Sequence, residues 1–314
     1  MAFKDNFGDR MKAYEKNADH KLTPRLPVIL RLDGNSFSKF TKDMKFKKPF
    51  DDKFCMAMEA ATTAVLEYCS GSQIGYFQSD EITVLLRNDQ THETDPFLSN
   101  RIQKICSLVA STCTLAFNNF LTANIADYYP RAAFDCRCFV VPPKEVNNVF
   151  LWRQKDAWRN CVSAVAYYGL KEKKGRKTSF KMLQGKSNSE QQELIFSELG
   201  INMNDYETRF KRGVCIVKEI VQTPIEEFVK PEIIEKYNKK GEMVERSVWK
   251  PDYEIPLFNE DKLYIEKFVV KPEKVIWNID VGSMSAQKAV EYVNSIRNAL
   301  KIKNDEYTVK GDNV

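Results

Sequence analysis

Four segments rich in strand-forming residues constrain this chain most: LPVILRLD (26–33), QIGYFQ (73–78), ITVLLR (82–87) and FDCRCFVV (134–141). Between the first two, Asp51 and Asp52 read as a helix cap, Phe54, Met58, Ala61, Val65 and Cys69 recur at helical spacing, and Gly71 is the stop. The second and third are separated only by a polar turn, as in a hairpin. Between the third and fourth, Ile102, Ile105, Leu108, Val109 and Leu115 mark the apolar side of a second helix. Residues 28–141 therefore read β-α-β-β-α-β, the ferredoxin-like order, which closes one antiparallel sheet with two helices on one face. The fold class expected is α+β: a ferredoxin-like domain with an additional C-terminal α/β region.

This order gives meaning to RLDGNSF, where the first strand stops. Asp33-Gly34 suits a tight turn. It equally suits a carboxylate that holds a cation at a strand end, with Gly34 letting a phosphate approach the backbone. Period two places Val28, Leu30 and Leu32 on one face of the strand and Ile29, Arg31 and Asp33 on the other. In the ferredoxin-like topology the first strand pairs with the third, so Asp33 converges with Asp80 and Glu81. Carboxylates brought together without basic partners raise one another's pKa and are tolerated when a divalent cation sits between them. Hard oxygen ligands shared with phosphates suit Mg2+. Neighbouring strand residues face opposite ways, so Asp80 is the stronger candidate and Glu81 reaches the cation only through a bend; a solvated turn is the simpler reading of SDE alone.

The remaining chain divides into a catalytic region (1–143), a second region (144–270) and a β-α appendage (271–314). A helix is expected near 148–169, followed by a basic loop at 171–186. A strand pair around Lys240-Gly241 reads as a surface hairpin or extension. Net charge is +5, from 48 basic and 43 acidic residues, so polyanion binding has to rest on local clusters. The polar N-terminus excludes a secretory signal, and no later stretch reads as a membrane span, so a soluble, cytoplasmic protein is expected. Eight cysteines, mostly in apolar runs, fit reduced core thiols. Cys136 and Cys138 form the one close pair, with no partner set for zinc. Two histidines, neither near a nucleophile motif, argue against histidine-based catalysis.

RLDGNSFSKF, FKKPFDDKF, YFQSDEITVLLR, FDCRCFVVP, WRQKDAWRN and LIFSELGINMN, in this order and at these separations, resemble the tRNA(His) guanylyltransferase family and its guanylyltransferase-like relatives over about residues 5–220. The resemblance implies a polymerase-type palm that adds nucleotides to the 5′ end of tRNA in the 3′-to-5′ direction. It implies two Mg2+ ions held by Asp33, Asp80 and the Gly34 carbonyl, with Glu81 in support. ATP, GTP and other NTPs would be substrates. Contacts to them would come from the backbone of Asn35, Ser36, Phe37 and Ser38, and from Lys48, Ser79, Lys104 and Arg137. A homotetramer is implied as well.

Family members acting on tRNA(His) carry HINNLYN after the WRQxD segment, whereas this chain has Trp158-Arg159-Asn160-Cys161-Val162-Ser163-Ala164. The chain is thus more similar to the relatives that copy a template base and repair 5′-truncated tRNA. Arg153, Asp156, Arg159 and Asn160 are candidate RNA or nucleotide contacts; the alternative makes Trp152 and Trp158 core anchors with the polar residues facing water. Lys173, Lys174, Arg176 and Lys177 in the basic loop are further RNA candidates, set against an ordinary solvated charge run. Three other functions remain open: tRNA(His) guanylyltransferase proper, another palm enzyme such as a nucleotide cyclase, and a non-catalytic RNA-binding protein.

Overall fold

The computed structural model describes residues 6–269 apart from 92, 228 and 238; the appendage expected at 271–314 lies outside them. An N-terminal helix α1 (Asn6–Asn17) precedes β1 (Val28–Gly34), a short α2 (Phe37–Asp43) and α3 (Asp52–Tyr68). The Asp51 carboxylate accepts the Phe54 amide at 3.1 Å and so caps α3. The hairpin is β2 (Ser72–Gln78) and β3 (Glu81–Leu86), followed by α4 (Ile102–Asn124) and β4 (Phe134–Val140). Gly71, at φ +84°, ends the α3 turn where any Cβ would lie 2.4 Å from the Arg87 carbonyl oxygen.

The sheet runs in the order β4-β1-β3-β2-β5-β6 and is antiparallel throughout. Its last two strands, β5 (Val214–Pro224) and β6 (Met243–Asp252), come from the second region. This corrects the expected hairpin at Lys240-Gly241: Met243–Asp252 pairs with Val214–Pro224 and extends the palm sheet. The signal was hidden because β6 has no buried residue and carries Glu245, Arg246, Lys250 and Asp252, which reads as surface.

The two faces of β1 bury into different cores. Val28, Leu30 and Leu32 pack with Met58, Val65, Val109 and Phe117 under α3 and α4. Ile29 joins Leu85 and Tyr76 against Phe150 of α5 (Val146–Lys174) and Phe258 from the segment after β6. A third cluster joins the distal half of α5 to the chain that follows, which forms α6 (Arg176–Leu183), α7 (Asn188–Leu194) and α8 (Thr208–Arg212). The segment expected to be a basic loop is therefore helical, because Lys and Arg are good helix formers and Gly175 alone interrupts them. Two short helices, α9 (Pro231–Lys236) and α10 (Leu263–Glu266), complete the described residues.

Helix α4 also corrects the sequence reading, since its 23 residues are long and apolar enough to cross a membrane. In the fold its apolar side is a core face: Ile105, Val109, Cys113, Phe117 and Leu121 are buried against the sheet. Phe117 stands at the centre, with Phe37, Phe40, Phe54 and Phe134 ring centroids 5.3–6.0 Å away. Phe117→Ala is expected to cost about 3–5 kcal/mol in urea unfolding. Phe117→Leu, which keeps much of the volume, should cost distinctly less.

Candidate active site

The chain leaves β1 through Gly34, whose amide donates to the Asp80 carbonyl oxygen at 3.1 Å. Asp80 is the second residue of a two-residue turn, Ser79-Asp80, between the paired Gln78 and Glu81. Ser79 takes φ 50°, and its hydroxyl donates to Asp80 Oδ1 at 3.1 Å. In the register, Asp33 lies opposite Glu81 on one side and Asp135 on the other. Paired residues share a face, so three carboxylates line up across β3, β1 and β4 with Asp80 at their end. Burial, then the charges of Glu81 and Asp135, raise the pKa of Asp33; Arg31 and Arg137 oppose the shift. Burial likewise raises Asp80, helped by Asp33 and Glu81 and opposed by its backbone and Ser79 hydrogen bonds.

Glu81 is placed differently. Arg31 Nη2 donates to its Oε1 at 2.6 Å, Gln78 Nε2 to its Oε2 at 2.8 Å, and Arg153 to the same Oε2. Both arginines lie with their guanidinium carbons 5.2 and 4.4 Å from the Trp152 ring centroid. The carboxylate is neutralised by protein cations, so its support of the site is positional. Arg153, read as an RNA contact, is corrected accordingly: its side chain is 5% exposed and is held by Glu81 and Asp156. Asp156 accepts from Arg153 at 2.6 Å, from Arg159 Nε at 3.0 Å and from Asn160 Nδ2 at 3.5 Å. It thereby ties Arg153, Arg159 and Asn160 into one cluster on α5. Trp152 is half-exposed, contrary to the core-anchor alternative, while Trp158 packs on the third core.

Beside Asp80 a cavity of about 350 Å³ opens, within the range that holds a nucleotide-sized ligand. Ser38, Lys48, Ser79, Asp80 and Asn160 line its polar side, joined by Arg209. Lys48 Nζ donates to Thr41 Oγ1 at 2.9 Å and lies 5.8 Å from the Tyr168 ring centroid. Burial lowers its pKa, opposed by Asp51 and Asp80. The apolar side holds Tyr168 and a stacked pair, Phe50 and Phe210, with centroids 4.5 Å apart and planes at 8°. Arg209, Phe50, Phe210 and Tyr168 were missed from sequence. Only the joining of α8 and α5 to the palm brings them together, and no spacing announces that.

Other predicted residues fall in several places. Arg137 lies opposite Arg31 in the register, 4.0 Å from Asp33 and 3.4 Å from Asp135. The Asn35 amide donates to the Ala133 carbonyl at 2.8 Å, so it is spent on the fold rather than offered to phosphate. Ser36, at φ 58°, turns the chain into α2, and Phe37 is buried. A Cβ on Gly34 would lie 2.5 Å from the Phe37 ring, which gives the glycine a packing reason on this side. Lys104 is not brought to the cavity: it lines a separate hollow with Glu15, Asp19 and Arg101. Lys173 donates to the Glu198 carbonyl and Lys174 pairs with the Glu198 carboxylate at 2.5 Å, tying α5 to the chain after α7. Arg159, Arg176 and Lys177 are exposed.

Among the described residues no three acidic, cysteine or histidine side chains are spaced to hold a metal ion alone. Asp33 and Asp80 nevertheless have a surplus of negative charge, and Asp33 is 32% exposed with Arg137 no nearer than 4.0 Å. Such a pair fits a cation that completes its shell with substrate phosphate oxygens and water, as Mg2+ does.

The sequence matches the family described as tRNAHis guanylyltransferase over residues 8–142, and the Thg1 C terminal domain over residues 144–255. A probable tRNA(His) guanylyltransferase of Drosophila melanogaster is 28% identical over 67% of this chain and 73% of its own length. A bacterial tRNA(His) guanylyltransferase (Thg1)-like protein in complex with ATP superposes at TM-score 0.70 with 34% identity, covering 85% of this chain and 100% of that one. Such a bacterial protein in complex with GTP gives 0.64 and 33% over the same coverage.

Two stability measurements follow from this geometry. Glu81→Gln leaves Arg31 and Arg153 without their shared anion and should cost about 3–5 kcal/mol in chemical unfolding. Arg176→Ala on the exposed surface should be near neutral. Asp80 has its pKa raised in the fold, so its ionised form works against folding above that pKa and the penalty vanishes below the ordinary carboxylate value. Asp80→Asn should therefore raise the melting temperature in chelator at neutral pH, with the gain disappearing on acidification to about pH 3.

Proposed function

The chain belongs to the tRNA(His) guanylyltransferase family and is an enzyme of the nucleotidyltransferase class, and from that premise we propose that it extends the 5′ end of tRNA or a tRNA-like RNA in the 3′-to-5′ direction, copying a template base. The observation that supports this most is the junction of Asp33 and Asp80, locked by the Gly34-to-Asp80 hydrogen bond, with Asp80 lining a cavity that also holds Lys48. Asp33, Asp80 and the Gly34 carbonyl would hold Mg2+; bound there, the ions would make the attacking hydroxyl more acidic and offset charge on the leaving pyrophosphate.

The chain's own residues bind and orient. Lys48, part-buried and beside Asp80, offers a compact cation to a triphosphate, while Arg209 at the same cavity is held by Asp52 at 2.8 Å and Glu207 at 2.6 Å. Phe50, Phe210 and Tyr168 offer flat apolar surface to a base. Arg137, exposed and beside Asp33, is placed to meet the phosphates of the RNA 5′ end. In the reaction the 3′-hydroxyl of the incoming NTP attacks the activated 5′ phosphorus of the RNA. A 5′-triphosphate is already activated, and a 5′-monophosphate would first be adenylylated with ATP. Catalysis is then mainly positioning and charge stabilisation.

Template-dependent repair is favoured over tRNA(His)-specific addition by Trp158, which stands where tRNA(His)-acting members carry histidine and which packs, partly buried, against the third core. The test supplies 5′-truncated tRNA, each NTP and Mg2+, with each templating base in turn. Extension by the complementary nucleotide is expected, and loss of at least about 10³-fold in Asp33→Ala and Asp80→Ala, with folding checked by circular dichroism. Addition of guanosine regardless of the opposing base would favour tRNA(His) guanylyltransferase proper. No extension by folded wild type would overturn the polymerase reading, and undiminished extension in Asp33→Ala would overturn its role.

A further inference from the structure

Three thiols meet behind the edge of the sheet. Cys136 and Cys138 alternate with Asp135 and Arg137 along β4, so they point to the opposite face, toward α4. There Cys106, from the second turn of α4, donates from its Sγ to that of Cys138 at 3.6 Å, with the Cys136 thiol also beside it. All three are partly exposed, because β4 is an edge strand. They are not spaced to hold a metal ion. The proposed reaction at Asp33 and Asp80 makes no use of them. As a thiolate Cys106 would accept from Cys136 and Cys138, which lowers its pKa against burial, whereas burial raises that of Cys138. Cys106 is thus the thiolate of the group and Cys138 the neighbour nearest to its sulfur.

We propose that Cys106 and Cys138 are a hydroperoxide-oxidisable pair that closes to a disulfide between α4 and β4. The Cys106 thiolate attacks the peroxide oxygen; the O–O bond breaks, an S–O bond forms, and alkoxide or hydroxide departs and takes a proton from solvent, leaving a sulfenic acid. The Cys138 sulfur then attacks the Cys106 sulfur, the S–S bond forms, the S–O bond breaks, and hydroxide leaves with the Cys138 proton as water. Two electrons pass from the two sulfurs to one hydroperoxide. The bridge would tie β4 to α4 directly behind Arg137.

The test treats the folded full-length chain with one equivalent of hydrogen peroxide, blocks remaining thiols with an alkylating agent, and maps tryptic peptides without reduction. Cleavage after Arg137 separates Cys136 (peptide 132–137) from Cys138 (peptide 138–144), while Cys106 lies in 105–131 together with the buried Cys113. The expected result is loss of two of the eight thiols and a linked 105–131/138–144 pair. That pair should be reversed by dithiothreitol, absent in Cys106→Ser and retained in Cys113→Ser. A link to 132–137 instead would overturn Cys138 as the partner. Oxidation of Cys106 without any link, or a pair that survives Cys106→Ser, would overturn the proposal.

Discussion

The Glu81 carboxylate receives Arg31 from β1, Arg153 from α5 and the Gln78 amide from β2, so one largely buried charge binds three elements, with partners 50 residues before it and 72 after it. Taking such an ion pair out of water is costly, and the cost is offset only when every partner is in place. Here it is nearly so, since Trp152 covers both guanidiniums, although the Arg31 and Arg153 Nε groups find no acceptor among the described residues. The consequence is geometric. Glu81 is the residue after Asp80, and fixing its side chain fixes the hairpin turn that presents Asp80 to Asp33.

That clamp allows the site to be electrostatically unbalanced. Asp33 and Asp80 are both pushed toward protonation by burial and by their neighbours, and neither has a protein cation in hydrogen-bonding contact. A turn that was free to move would relax by separating the two charges. With Glu81 pinned and the Gly34 amide bonded to the Asp80 carbonyl, it cannot, so the repulsion is stored until something of opposite charge arrives. Stability set aside in this way is the usual signature of a functional site.

What could be read from sequence follows the same division. The palm was legible because local signals agreed: period two in VILRLD, the Asp51 cap, the Gly71 stop, and a turn between two β-rich runs. Topology then sufficed to bring Asp33 beside Asp80. What sequence could not supply was long-range pairing. Glu81 and Arg153 are chemically ordinary until α5 crosses the sheet, so the arginine read as an RNA contact and the glutamate as support for a cation. The Asn35 amide read as a phosphate donor because nothing local reveals that Ala133 accepts it. The solvated strand β6 lacks an apolar run and passed for surface, and the aromatic wall at Phe50 and Phe210 depends on the packing of α8 against the palm.

Strand β4 carries the argument furthest, because its two faces carry different chemistry. Asp135 and Arg137 face the carboxylates; Cys136 and Cys138 face α4. An edge strand has one neighbour to hold it, here β1, so its second side is restrained only by side-chain packing. The buried Asn118 supplies part of that restraint just before the strand, accepting the Arg131 and Ala132 amides and donating to the Ala132 carbonyl. Past that anchor the position of Arg137 is set by Asp33 and Asp135 in front and by whatever the thiols make with Cys106 behind. A strand with period two cannot shift one face without the other, so the sulfur contacts and the placement of the arginine are one mechanical variable.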